Sequence, residues 1–128
     1  MAETLVFVCT IENLTASPLK VKSKELYWGK WVDRGNHEPV EIPAGERRQA
    51  FRTSGRQSSS SGTEGKVVYQ IGDESTATVE IYWDVPWVAG SSNTVKVTPS
   101  NKYILAPMDG FVGSGSTESV TITVGRIK

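Results

Sequence analysis

Thr76-Ala77-Thr78-Val79-Glu80-Ile81-Tyr82-Trp83-Asp84-Val85-Pro86-Trp87 decides between a helical and a stranded chain. Apolar and polar residues alternate from Thr76 to Asp84. A period of two places Val79, Ile81 and Trp83 on one face and Thr78, Glu80, Tyr82 and Asp84 on the other. Trp83 is therefore expected in a core, with Tyr82 and Asp84 facing outward at the strand end. Pro86 has no N–H to offer a ladder and stops the pairing, which puts Trp87 on the loop beyond.

The same period recurs along the chain. Leu5, Phe7, Cys9 and Ile11 share one face of a strand over residues 5–12. A second strand over 19–28 alternates lysines with Leu19 and Val21. Further strands are expected at 46–53, 66–71, 94–98, 102–106 and 119–125, separated by turn chemistry such as Ile42-Pro43-Ala44-Gly45 and Asp109-Gly110. Ser54–Gly65 and Gly113–Ser116 read as loops. No stretch keeps an apolar period near 3.6 over three turns. The expected fold is all-β, a single-domain antiparallel β-sandwich over residues 1–128.

Bulk properties exclude several classes of function. The chain has 128 residues and 38% hydrophobic content, which suits one core. Lys plus Arg and Asp plus Glu each number 14, so the net charge is zero and a nucleic-acid partner is not expected. One cysteine, Cys9, allows no internal disulfide, and with the single His37 it builds no zinc cluster. No cofactor or metal is indicated. Residues 5–11 are too few to span a bilayer as a helix, and no signal-peptide pattern opens the sequence. The expectation is a protein made soluble that, if it meets a membrane, does so from the water side.

No catalytic constellation emerges. His37 lies in a turn-like Gly35-Asn36-His37-Glu38-Pro39 segment with no triad motif around it. Asp73 and Glu74 sit together in a turn rather than a cleft. Cys9, on the inward face of a strand, reads as an inert core thiol.

The tryptophans carry more information. Trp28 and Trp31 end the second strand, and Trp83 and Trp87 end the strand quoted above. An indole on a loop suits the water–lipid boundary, because its ring is apolar and its N–H seeks a partner. Burying most of one contributes roughly 2–4 kcal/mol. Tyr82, Asp84 and Trp87 together suit an ammonium group through cation–π attraction and charge. The competing reading is that the rings fill a corner of the core and Asp84 caps a turn. The candidate site is Trp28, Trp31, Tyr82, Asp84 and Trp87, with Arg56 as a phosphate contact through its guanidinium fork.

Three segments in order, Trp28-Gly29-Lys30, Ser54-Gly55-Arg56 leading into the serine-rich Ser58–Gly65, and Tyr82-Trp83-Asp84-Val85-Pro86-Trp87 followed by Asn93-Thr94, resemble the aegerolysin family. The resemblance implies a small β-sandwich without catalytic activity that recognises membrane sphingolipids, often with sterol. It implies a membrane-attack-complex/perforin-domain protein as pore-forming partner, and in some bacterial pairs an insecticidal or cytolytic role. Trp28, Tyr82, Trp83, Asp84, Pro86 and Trp87 carry over directly. Val6 stands where the family often has a tryptophan, and Ser61 where an acid is common, with Glu64 three places on. The sterol requirement is not carried over. A carbohydrate-binding module is the other class that aromatic rings near Asp and Asn would suit.

Overall fold

The computed structural model describes residues 5–32, 38–55, 62–86 and 92–127, and among them there are strands and turns but no helix. Ten strands form in chain order: β1 (Val6–Asn13), β2 (Leu19–Trp28), β3 (Lys30–Trp31), β4 (Arg47–Ser54), β5 (Thr63–Ile71), β6 (Thr78–Val85), β7 (Thr94–Pro99), β8 (Ile104–Leu105), β9 (Met108–Asp109) and β10 (Thr117–Arg126). One sheet has the order β3-β4-β1-β10-β8, with β9 also on β10, and the other has the order β2-β5-β6-β7.

The inward faces of β1 and β6 are those expected from alternation. Phe7, Cys9 and Ile11 of β1, Val79, Ile81 and Trp83 of β6, and Val120, Ile122 and Val124 of β10 are all buried. Leu5 packs against this core from its edge. Burial pushes the Cys9 thiol far above its ordinary range, so it stays protonated and unreactive at physiological pH.

The pairing departs from a purely antiparallel sandwich at one place. β1 runs parallel to β10, with Val6 opposite Thr117 and Asn13 opposite Val124. Alternation tells which face is buried but not which way a neighbour runs. These first and last long strands are joined through the whole fold, so no hairpin forces them antiparallel. Other differences are local. β5 begins at Thr63, inside the segment read as loop, and β8 keeps only Ile104–Leu105 of the expected 102–106. β3 and β9 are two-residue strands that exist through pairing with Ser54 and Thr53 and with Thr121 and Ile122.

Trp83 organises one end of the sandwich. Its ring stacks on Phe7 with centroids 5.2 Å apart at 10° and meets Phe51 at 5.0 Å. Its Nε1 donates to Thr63 Oγ1 at 3.1 Å, and the Thr63 hydroxyl donates to Thr53 Oγ1 at 2.7 Å, so a buried indole joins both sheets with its N–H satisfied. The ring lies over Gly65, opposite it on β5. A Cβ there would come within 2.6 Å of Trp83 Cζ2 and of the Glu25 carbonyl oxygen. Gly65→Ala is accordingly expected to lower unfolding free energy by about 2–4 kcal/mol. Urea titration followed by tryptophan fluorescence measures it, and a change under about 0.5 kcal/mol would contradict this packing.

Candidate functional site

The end organised by Trp83 also carries the exposed rings. Trp28, the last residue of β2, pairs with Glu64 of β5, Glu64 with Asp84 of β6, and Asp84 with Thr94 of β7. The adjacent row is Glu25, Lys66, Tyr82 and Lys96. Direct cross-strand partners share a face, so these side chains lie on the outer surface of the four-stranded sheet.

A bulge between Leu26 and Trp28 explains why two adjacent aromatics both face water. Such an irregularity sets two residues against one and breaks the in–out alternation. Leu26 packs on the core, while Tyr27 and Trp28 are 47% and 61% exposed. Gly29 then turns the chain with φ of +96°, and a Cβ there would lie 2.4 Å from the Ser54 carbonyl oxygen. That close approach leads the chain directly into β3 of the other sheet, so Trp28 and Trp31 face opposite environments.

Trp31 corrects the sequence expectation. Its ring meets Phe51 edge-on at 5.8 Å and Trp83 at 6.0 Å, and it packs half-buried against the core. It stands on β3, paired with β4, rather than at the end of the second strand, and its ring joins the aromatic cluster. Trp83 is fully buried, as alternation required. Arg56 and Trp87 lie outside the described residues, as does His37.

Tyr82 and Asp84 do come together on the outer face, with Tyr27 and Glu64 beside them. The Tyr82 hydroxyl donates to Glu64 Oε2. Partial burial, then that bond and the charges of Glu64 and Asp84, push the Tyr82 hydroxyl well above the usual phenol range, so it remains a donor at every physiological pH. Burial, then the Glu64 charge, also raise the Asp84 carboxyl. The neighbouring row holds two cations, Lys66 and Lys96; Lys66 lies 3.8 Å from Glu80, and no salt bridge among the described residues reaches Glu64 or Asp84. The result is a patch of the sheet face where Glu64 and Asp84 stand beside Tyr27, Trp28 and Tyr82, a combination suited to an organic cation. Tyr27 and Glu64 were not among the candidates. A bulge leaves no mark in residue alternation, and Glu64 was hidden in a segment read as loop.

The opposite end differs in chemistry. Leu14, Tyr103, Ile127 and Ile71 border a cavity of about 660 Å³ with Arg126. That guanidinium is held by Glu74 through both nitrogens. Asp73 is likewise paired with Lys20 at 2.9 Å. Lys20 and Arg126, by hydrogen bond and charge, hold these two carboxyls below their usual range, so neither is poised for proton transfer.

A two-sheet scaffold with bonded aromatic and acidic side chains on one end of its outer face is a β-sandwich ligand-binding module. The aegerolysin family model matches residues 5–127, and the chain belongs to the aegerolysin family. RahU protein, in complex with a TRIS molecule, superposes with a TM-score of 0.78 at 24% identity, covering 98% of this chain and 96% of that one. IP-1A from Alcaligenes faecalis gives 0.75 at 25% identity, covering 97% and 92%. The lipid binding protein Nakanori gives 0.74 at 16% identity, covering 98% and 73%. No curated protein sequence matches the chain. Family membership supports lipid binding as the general function.

The raised Asp84 carboxyl fixes the sign of a test. An unfolded chain releases this proton at the ordinary value of 3.8, whereas the folded chain holds it to higher pH. Asp84 thus favours the fold below that ordinary value, and this contribution is lost as pH rises through the folded value. At neutral pH its charge opposes folding. Asp84→Asn is expected to raise Tm at pH 7 by up to about 2 °C once solvent screening is allowed for, with the gain shrinking below pH 4. Calorimetry across pH checks this; a lower Tm at pH 7 would contradict it.

Proposed function

We propose that the chain binds the ammonium-bearing head group of a membrane sphingolipid at Tyr27, Trp28, Glu64, Tyr82 and Asp84, and has no catalytic activity of its own. One observation carries the reading. Two carboxylates that form no salt bridge among the described residues stand among aromatic rings, and a quaternary or primary ammonium satisfies both the charge and the ring faces. The rings then rest at the depth where aromatic side chains are favoured at a bilayer surface. TRIS, held by the related RahU protein, is itself an amine protonated near neutral pH, which is the same chemistry. Trp87 and Arg56, the second as a partner for the head-group phosphate, extend this reading from the family pattern.

We further read the chain as the targeting component of a two-component cytolytic or insecticidal pair, released to act at the target-cell surface. A perforin-like partner would supply the pore. Among the described residues no helix is long and apolar enough to cross a membrane. The outer faces of the strands carry Lys20, Lys66, Glu80 and Lys96, not the continuous apolar band that a spanning barrel presents to lipid. In this arrangement the module rests on a bilayer while another protein opens it.

Vesicles of sphingomyelin, phosphatidylcholine and cholesterol should pellet the protein without releasing an entrapped dye. Trp28→Ala should weaken that binding about tenfold or more and leave Tm unchanged, since Trp28 is mostly exposed. Asp84→Asn should weaken it too, and wild-type binding should fade as pH falls through the Asp84 titration, where the charge that attracts the ammonium is lost. Retention on immobilised glycans with no vesicle pelleting would replace this reading with a lectin one. Dye release by the chain alone would remove the need for a second component.

A further inference from the structure

We propose that Phe111 and Val112 form a second membrane anchor, inserted between lipid head groups at the far side of the same end of the sandwich. The inference rests on the lipid-binding reading and adds a contact to it.

These two residues precede β10 in the run Gly110-Phe111-Val112-Gly113-Ser114-Gly115-Ser116, which contains no charged side chain. Val112 is 71% exposed and Phe111 42% exposed. A large apolar pair on a loose loop would fold back against the core. Here the backbone is held so that it does not. Glu118, fully buried, accepts the Val112 N–H at 2.8 Å through Oε2 and the Gly113 N–H at 2.7 Å through Oε1. Asn93 Nδ2 donates to Glu118 Oε1 at 3.1 Å and to the Gly115 carbonyl at 3.2 Å. The Asn93 N–H in turn donates to the Gly113 carbonyl at 2.9 Å. Gly110, Gly113 and Gly115 all have positive φ, and a Cβ on Gly113 would sit 3.4 Å from the Phe111 ring. A buried carboxylate is costly unless hydrogen-bonded. This one spends its acceptors on holding out two apolar side chains.

The loop shares its end of the molecule with the head-group site. Asn93 adjoins Thr94, which pairs with Asp84, then Glu64, then Trp28. Three strand spacings separate Thr94 from Trp28, about 14 Å. Anchors at the two margins of the sheet fix how the sandwich stands on a surface, which a single point cannot do. A bilayer is the occupant that fits. Two side chains on a loop tip fall far short of the roughly 1,200 Å² that a specific protein contact buries. Insertion among lipids requires no shape-matched partner, and the uncharged tip brings no ion to desolvate.

The test uses the full chain with vesicles of sphingomyelin, phosphatidylcholine and cholesterol. A Phe111→Ser, Val112→Ser double variant leaves the head-group residues and Glu118 untouched and is expected to bind roughly tenfold more weakly. Separately, Val112→Cys takes an environment-sensitive fluorophore, since Cys9 is fully buried. Its emission is expected to shift to the blue on vesicles and to be quenched by spin labels on the upper acyl chain. Wild-type binding that the double variant matches, with unshifted emission, would overturn the anchor and leave the head-group site standing. Weakened binding with no spectral shift would also overturn it, by assigning the pair to a protein contact, as would a change in sedimentation of the lipid-free double variant. If the wild-type protein pellets with no vesicle, the lipid reading fails first and the anchor with it.

Discussion

The indole of Trp83 is the point where the interior and the surface of this protein constrain each other. Its ring needs a bare Gly65 beneath it, Phe7 against its face and Thr63 for its N–H. With those satisfied, strand geometry leaves no choice for its neighbours: Tyr82 and Asp84 must project from the other side of β6. The site is thus held by the core at the residue level. Packing at this density makes even a methyl group beneath the ring felt along β6, which carries two of the five site residues, Tyr82 and Asp84.

That constraint also explains which features were readable from residues alone. Period-two alternation identified the buried faces of β1 and β6, and it separated Trp83 from Tyr82 and Asp84. Those inferences concern single strands, for which local pattern is sufficient. The parallel pairing of β1 with β10 was not legible, because direction depends on how distant segments meet. Trp31 was misplaced for a related reason. It follows Trp28 by three residues, yet Gly29 moves the chain to the other sheet, where the ring is taken up by Phe51 and Trp83.

Tyr27, Glu64, Phe111 and Val112 were hidden by irregularity. A bulge overrides alternation at Tyr27 and Trp28, and a Gly/Ser-rich run gives no sign that a buried Glu118 stiffens it. Functional surfaces commonly sit where local rules are broken and the cost is met elsewhere. The Glu64–Asp84 pair, which has no salt bridge among the described residues, illustrates this, since burial and the Glu64 charge raise the Asp84 carboxyl and its ionised form opposes folding at neutral pH. Under the proposed head-group binding, an incoming cation would offset the charge that raises the Asp84 carboxyl.

Rigidity then decides how effective shallow anchors are. Each exposed ring or valine contributes little by itself, and a flexible loop would lose much of that gain in being ordered on binding. Here Trp28 is set by a bulge and a constrained glycine turn, Tyr82 by a strand packed through Trp83, and Val112 by a hydrogen-bonded buried carboxylate. The ordering cost was met when the domain folded, so several small contacts at fixed spacing add with little further loss. A sandwich whose strands stay paired in its own two sheets is suited to that role. In the proposed role it would present a fixed pattern to a fluid surface and keep its backbone hydrogen bonds while doing so.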